Sequence, residues 1–120
     1  MSTIANLAVG FAALLHLAFL VLEMFLWTKP IGRRIFGLPP DVAASSATLA
    51  ANQGLYNGFL AAGLIWGLIA GESGLGLKIF FLACVVLAGV FGAFTAKRSI
   101  LWVQALPGAV ALLLVLLARP

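Results

Sequence analysis

The sequence is poor in the residues on which soluble enzymes usually depend. Of its 120 residues 8% are charged, with three acids, one histidine and one cysteine. A single cysteine excludes an intrachain disulfide and a cysteine-based metal site, and one histidine beside one or two carboxylates makes a poor metal site. The sequence also lacks a phosphate-binding loop, a dinucleotide-binding fingerprint and a nucleophile triad. No familiar soluble enzyme class is therefore indicated.

Hydrophobic residues, in contrast, are abundant. They make up 64% of the chain, against about 45–50% in ordinary soluble domains, and the mean hydropathy is +1.21. The net charge of +4 does not indicate nucleic acid, because the basic residues flank apolar stretches and are typical of topology signals and anionic headgroup contacts. We therefore predict an integral membrane protein whose main partner is the lipid bilayer.

Four apolar stretches predict an all-α, four-helix transmembrane bundle that forms one domain over residues 1–120. The predicted helices cover about residues 3–27, 41–70, 77–96 and 100–118. The first stretch is too long for a signal peptide and lacks its basic start and cleavage site. Residues 28–40, which hold three basic residues and three prolines, are expected to form a loop, and Asp41 the N-cap of the second helix.

The basic residues predict the orientation of the four spans. One side of the membrane would collect five of them and the other side only two, Lys78 and Arg119; the five are Lys29, Arg33, Arg34, Lys97 and Arg98. Because cytoplasmic loops are enriched in lysine and arginine, both termini are expected to face outward. The expected location is the bacterial inner membrane, in a multi-pass arrangement.

Small residues recur at a spacing of four on the second and third helices. They are Gly54, Gly58, Gly63, Gly67, Ala88, Gly92 and Ala96. Such faces let helix backbones approach closely in a bilayer, where no hydrophobic effect drives association. The sequence leaves open whether these faces meet within one chain or between the copies of a homo-oligomer.

Polar residues on the first helix mark a candidate site. At 100° per residue His16, Glu23 and Trp27 fall within about 40° of one another. An ionised carboxylate inside the hydrocarbon costs about 3 kcal/mol, so Glu23 is a functional candidate by default. The alternatives are that Glu23 extends to the interface or pairs with a loop arginine, and that His16 makes an ordinary hydrogen bond between helices.

The second helix adds four hydrogen-bonding side chains on an arc of about 140°: Asn52, Gln53, Tyr56 and Asn57. Trp102 and Gln104 could join them from the fourth helix, where Pro107 frees a backbone carbonyl. One interpretation is a polar clamp that fixes the helix register. The other is a pocket suited to proton transfer on a small lipophilic molecule.

Several stretches resemble a known family. LHLAFLVLEMFLWTKP (15–30), IFGLPPD (35–41) and LAANQGLYNGFLAAGLIWGL (49–68) are similar to the small bacterial membrane proteins of domain of unknown function 1304. That resemblance implies a four-helix membrane fold and no established activity. A much weaker resemblance, to the haem-binding styrene oxide isomerases, departs from their pattern because Asn52 stands about where their ligating histidine would be. No cofactor is expected, and a haem would have only His16 as a histidine ligand.

Three functions are compatible with this pattern. The first is a membrane-embedded, isomerase-like acid–base enzyme acting on a small hydrophobic substrate, with Glu23, Tyr56 and His16 as catalytic residues. Its substrate-binding residues would be Asn52, Gln53, Asn57, Trp27, Trp102 and Gln104. The second is a small oligomeric transporter or efflux subunit that uses Glu23 as its coupling carboxylate, and the third is a structural or accessory membrane protein.

Overall fold

The computed structural model describes residues 2–119, and over this range every regular element is helical. The five α-helices are α1 (Thr3–Met24), α2 (Pro30–Phe36), α3 (Pro40–Ile69), α4 (Leu75–Thr95) and α5 (Leu106–Ala118). A 3₁₀ turn, Gly71–Gly74, leads directly into α4, and a π-helical turn, Leu101–Ala105, leads directly into α5. The expectation of an all-α chain is confirmed, whereas the expectation of four helices is wrong.

The additional helix is α2, which lies in the segment expected to be a loop. Its Pro30 occupies the first helical turn, where the missing N–H has no intrahelical role. Gly37 ends the helix in the left-handed conformation, with φ of 65°, and its N–H bonds the Arg33 carbonyl. Proline and glycine thus begin and end a short helix here. Asp41 is also misassigned, because α3 begins at Pro40 and Asp41 lies in its first turn.

Three segments are long and apolar enough to cross a membrane: Thr3–Met24, Gly71–Thr95 and Leu101–Ala118. The sequence predicts a fourth span over α3. This helix is long enough at 30 residues, but it does not reach the same apolarity because Asn52, Gln53 and Asn57 lower its mean hydropathy. The three apolar helices indicate a membrane protein, and a fourth crossing stays a prediction.

The described residues group into two compact units. The terminal unit contains the chain up to Leu15 and from Leu60 onward, and the middle unit contains His16–Phe59. The single domain predicted from the sequence remains a prediction.

Small side chains allow close helix packing in the terminal unit. A Cβ added at Gly89 would lie 2.8 Å from the Ala105 backbone nitrogen, and one at Gly108 would lie 2.7 Å from Val85. Four alanines belong to the buried core, which consists of Ala5, Val9, Ala12, Ala13, Leu64, Leu82, Val85, Ala111 and Val115. The π-helical turn therefore approaches the backbone of α4 closely at Ala105, and α5 packs at Gly108 on the side chain of Val85, as expected for helices with small residues at their contacts.

In the middle unit, glycines of α3 pack against α1. A Cβ at Gly54 would lie 2.7 Å from Met24, and one at Gly58 would lie 2.7 Å from Leu20. These two members of the predicted small-residue face thus contact side chains of the same chain. Their packing brings the last turns of α1 against the polar stretch of α3.

Candidate functional site

Glu23 and Asn57 form a hydrogen-bonded pair in the middle unit. Asn57 Nδ2 donates to Glu23 Oε1 at 2.5 Å, which joins the last turn of α1 to α3. The pair can form because Gly54, one turn before Asn57, has no side chain: a Cβ there would lie 3.1 Å from the Glu23 Cβ. Asn57 is 7% exposed and Glu23 is partly exposed. The structure therefore brings together two of the predicted site residues.

This pair leaves part of the carboxylate available. A carboxylate accepts at both oxygens, and a hydrogen bond from an amide to an ionised acceptor is stronger than one between neutral groups. Within the part of the chain that the structure describes, Asn57 bonds Oε1 and no protein group bonds Oε2. The arrangement can hold Glu23 in one orientation while its second oxygen accepts or donates a proton.

His16 lies on the same helix as Glu23, two turns earlier. Seven residues correspond to about 10 Å along the helix axis, so these two side chains do not share a direct hydrogen bond. The imidazole is 1% exposed and packs edge-to-face on Phe19, with ring centroids 5.2 Å apart. A catalytic role for His16 stays a prediction.

The polar arc predicted on the second helix is divided by the structure. Asn57 points toward α1, whereas Asn52, Gln53 and Tyr56 are exposed and form what we term the outer polar face of α3. Tyr56 is 53% exposed, and its ring lies 5.9 Å from that of Phe59. Because consecutive helical residues are 100° apart, Tyr56 and Asn57 can serve different surfaces.

Trp27 lies beyond the end of α1 and anchors the segment that follows. Its indole Nε1 donates to Ser46 Oγ at 3.0 Å, and its ring lies 4.8 Å from that of Phe36. The indole donor is thus satisfied by α3 while the ring packs on α2. In this arrangement Trp27 holds the middle unit together, and its predicted contact with a substrate is untested.

Trp102 and Gln104 lie in the π-helical turn of the terminal unit. Gln104 Nε2 donates to the backbone carbonyl of Val85 at 3.1 Å, which ties this turn to α4. Trp102 is 63% exposed. Gln104 therefore satisfies a backbone carbonyl, and the predicted role of both residues in substrate binding is likewise untested.

Lys78 and Asn6 form a second polar pair, which was not expected from the sequence. Lys78 was interpreted as a surface charge that reports topology, but it is 1% exposed, and its Nζ donates to Asn6 Oδ1 at 3.0 Å. Gly67 makes room for the lysine stem, because a Cβ there would lie 2.8 Å from Lys78 Cγ. Two signals were available in the sequence: Asn6 interrupts an apolar run, and Gly67 is one of the spaced small residues.

Metal chemistry finds little support among the described residues. No group of three or more histidine, cysteine, aspartate or glutamate side chains is close enough to hold a metal ion within residues 2–119. Cys84 is a free, partly buried thiol on α4. The described residues instead provide two charged groups, the Glu23 carboxylate and the Lys78 ammonium. Each is hydrogen-bonded to an asparagine.

Comparison with known proteins places the chain in a family. The three long apolar helices, two of them carrying a charged residue bonded to an asparagine, are those of a helical membrane protein. The chain belongs to the family of proteins of unknown function DUF1304, whose model matches residues 10–116. This confirms the resemblance to domain of unknown function 1304 noted from the sequence, whereas the weaker resemblance to the styrene oxide isomerases stays a prediction.

One curated relative also carries no assigned activity. The uncharacterised protein YpaA of Lactococcus lactis subsp. lactis (strain IL1403) is 28% identical over 85 residues, which cover 69% of this chain and 71% of that protein. No solved structure matches the chain.

Proposed function

We propose that the chain is a membrane-embedded acid–base enzyme of the isomerase type that acts on a small hydrophobic substrate. Glu23 is the proton acceptor and donor, and Asn57 is the residue that orients it. The observation that carries this proposal is the hydrogen bond from Asn57 Nδ2 to Glu23 Oε1.

The Glu23 carboxylate lies in one of the helices that are long and apolar enough to span a membrane. A charged group in a membrane-spanning helix costs about 3 kcal/mol, so one that is retained normally faces protein, water or a ligand. Asn57 provides one hydrogen bond to this partly exposed carboxylate, which can accept more than one. The second oxygen is then suited to remove a proton from one position of a substrate and to return it at another. Such an isomerisation consumes no second reactant.

The other residues of the proposed site would contact the substrate directly. Tyr56 would be the hydrogen-bond donor, and Asn52 and Gln53 would contact a molecule that lies along the outer polar face. His16, Trp27, Trp102 and Gln104 keep the roles predicted from the sequence. The support for these assignments is the residue chemistry, and for Tyr56 also its exposure.

A second candidate function is a small oligomeric transporter, with Glu23 as the coupling carboxylate. It is favoured by the outer polar face, because three exposed hydrogen-bonding side chains in a bilayer are stabilised when another polar surface covers them. In this arrangement α3 would be the fourth span of a multi-pass inner-membrane protein with both termini outside. A second copy would cover Asn52, Gln53 and Tyr56.

The experiment compares the wild type with Glu23→Gln in proteoliposomes. The control is Glu72→Gln, which changes an exposed carboxylate in the 3₁₀ turn. The probes are membrane-permeant β,γ-unsaturated ketones, which isomerise to α,β-unsaturated ketones when one proton is removed and returned at another carbon, and products are separated by chromatography. Internal pH is followed in parallel with a trapped dye.

The outcomes separate the candidates. Isomer formation by the wild type and by Glu72→Gln, lost in Glu23→Gln, supports the enzyme. Substrate-driven proton flux with the same pattern and no isomer formation supports the transporter instead. If all three proteins give neither signal, both functions are rejected in favour of a structural or accessory role.

A further inference from the structure

An open cavity of about 440 Å³ lies beside α2, outside the site described above. It is lined by Pro30, Arg33, Arg34, Gly37, Leu38 and Pro39. We infer that this cavity binds the phosphodiester headgroup of an anionic phospholipid, with Arg33 as the principal contact. This inference is independent of the proposed role of Glu23.

The cavity is positively charged. Two arginines line the cavity and no acidic residue does, so the site has uncompensated positive charge. Within residues 2–119 Arg33 Nε is buried and has no hydrogen-bond partner. A buried guanidinium N–H normally has an acceptor, and the guanidinium fork matches the oxygens of a phosphate. A phosphodiester in the cavity would supply that acceptor.

The backbone around the cavity is well fixed. Gly32 lies so close to the Leu26 carbonyl that a Cβ would overlap it, which holds α2 against the preceding turn. At the other end the Leu38 N–H bonds the Arg33 carbonyl at 2.9 Å, and Gly37 adopts its left-handed conformation. The arginine is therefore presented from a defined framework and not from a mobile loop.

Exposed apolar side chains on α2 indicate that the ligand is a lipid and not a free anion. Ile31 and Ile35, one helical turn apart on α2, are both about half exposed. Arg33 lies two residues from each, on the opposite face of the helix. A short helix with an apolar face and a basic face suits the boundary between acyl chains and headgroups, where lipid phosphates lie.

The test measures lipid binding by native mass spectrometry of the detergent-solubilised full chain. Phosphatidylglycerol and phosphatidylcholine with identical acyl chains are added to the wild type, Arg33→Gln and Arg98→Gln. The last variant removes an exposed arginine outside the cavity and is the matched control. We expect Arg33→Gln to bind phosphatidylglycerol about tenfold more weakly, the effect of losing one charge-assisted contact of about 1.4 kcal/mol.

In the same test Arg98→Gln should bind as the wild type does, and phosphatidylcholine should bind more weakly than phosphatidylglycerol to the wild type. Millimolar inorganic phosphate should not displace the lipid; displacement would show a site for free phosphate and would overturn the lipid assignment. Equal phosphatidylglycerol binding by wild type and Arg33→Gln would also overturn it. If Arg33→Gln does not fold, Arg33→Lys takes its place: it keeps the charge but loses Nε and the guanidinium fork, so weaker phosphatidylglycerol binding supports the proposal and unchanged binding overturns it. Because lipid binding is read directly, its failure is distinct from a failure of catalysis or transport.

Discussion

Lys78 Nζ donates a hydrogen bond to Asn6 Oδ1, which joins two residues 72 positions apart inside the terminal unit. The lysine is among the largest fully buried side chains, and its partner is a neutral amide. A buried ammonium is costly unless its donors are satisfied, so the amide oxygen of Asn6 is central to tolerating this charge.

We predict that removing Asn6 is more harmful than removing Lys78. Asn6→Leu leaves a buried ammonium without its acceptor and should lower the free energy of unfolding by about 1–3 kcal/mol. Lys78→Met keeps an unbranched apolar stem beside Gly67 and should cost less, and the double variant should be more stable than Asn6→Leu alone. Thermal unfolding in detergent measures all three. Equal losses in both single variants would contradict the prediction.

A parallel prediction concerns Glu23 and Asn57. Asn57→Leu removes the donor to the carboxylate and should destabilise the chain by about 1–2 kcal/mol. Glu23→Gln retains an oxygen acceptor at the same position and should unfold close to the wild type, which makes it the better variant for functional assays. Denaturation midpoints of the two single variants and the double variant give the coupling energy. A coupling energy near zero would show that the hydrogen bond contributes nothing.

We predict opposite effects for two glycines of α4. Gly89→Ala should destabilise the chain by about 1–3 kcal/mol, because its Cβ would meet backbone atoms of Ala105 at 2.8–2.9 Å. At Gly76 nothing lies within 4 Å, so Gly76→Ala should stabilise the helix by about 0.5–1 kcal/mol through propensity alone. The melting temperatures of the two variants test this prediction. A higher melting temperature for Gly89→Ala would disprove the close approach of Gly89 to Ala105.

Two adjacent serines allow a prediction about Trp27. Ser46 accepts from the Trp27 indole and also donates to the Val42 carbonyl, whereas Ser45 has only a hydrogen bond to the same carbonyl. Ser46→Ala should therefore cost about 0.5–1.5 kcal/mol, and Ser45→Ala should be nearly neutral. Unfolding followed by far-UV circular dichroism measures both. Similar values for the two variants would argue against the indole bond as a stabilising contact.

The lengths and periodicity of the apolar stretches predict much of the fold. The apolar stretches locate α1, α4 and α5, because a hydrocarbon solvent imposes a minimum length on a spanning helix that is visible in one sequence. The α2 helix was missed because proline and glycine indicate a loop when read alone, whereas Pro30 and Gly37 stand at the two ends of a helix. Whether a proline or glycine caps a helix depends on the backbone conformation, and residue composition gives no information about that conformation.

The candidate site was predictable in its residue types but less so in its pairing. Helical periodicity grouped Asn57 with Tyr56, yet a face of 140° is wide enough for its edges to contact different surroundings. Gly54 decides which edge of this face contacts α1, because its lack of a side chain lets α1 approach the Asn57 side of α3. Lys78 was misread for a related reason: its burial depends on space left by Gly67 and on an acceptor far away in sequence.

The π-helical turn at Leu101–Ala105 has a consequence for how this chain tolerates insertions and deletions. There the Leu106 N–H bonds the Leu101 carbonyl, five residues back, so the turn holds one residue more than an α-helical turn would. A π-helical turn accommodates its extra residue by widening locally, so deleting one residue in this turn would restore ordinary α-helical spacing and leave the phase of α5 nearly unchanged. Ala111 and Val115 would then stay in the core that they share with α4. The same deletion in a regular turn of α5 would instead rotate every following residue by about 100°.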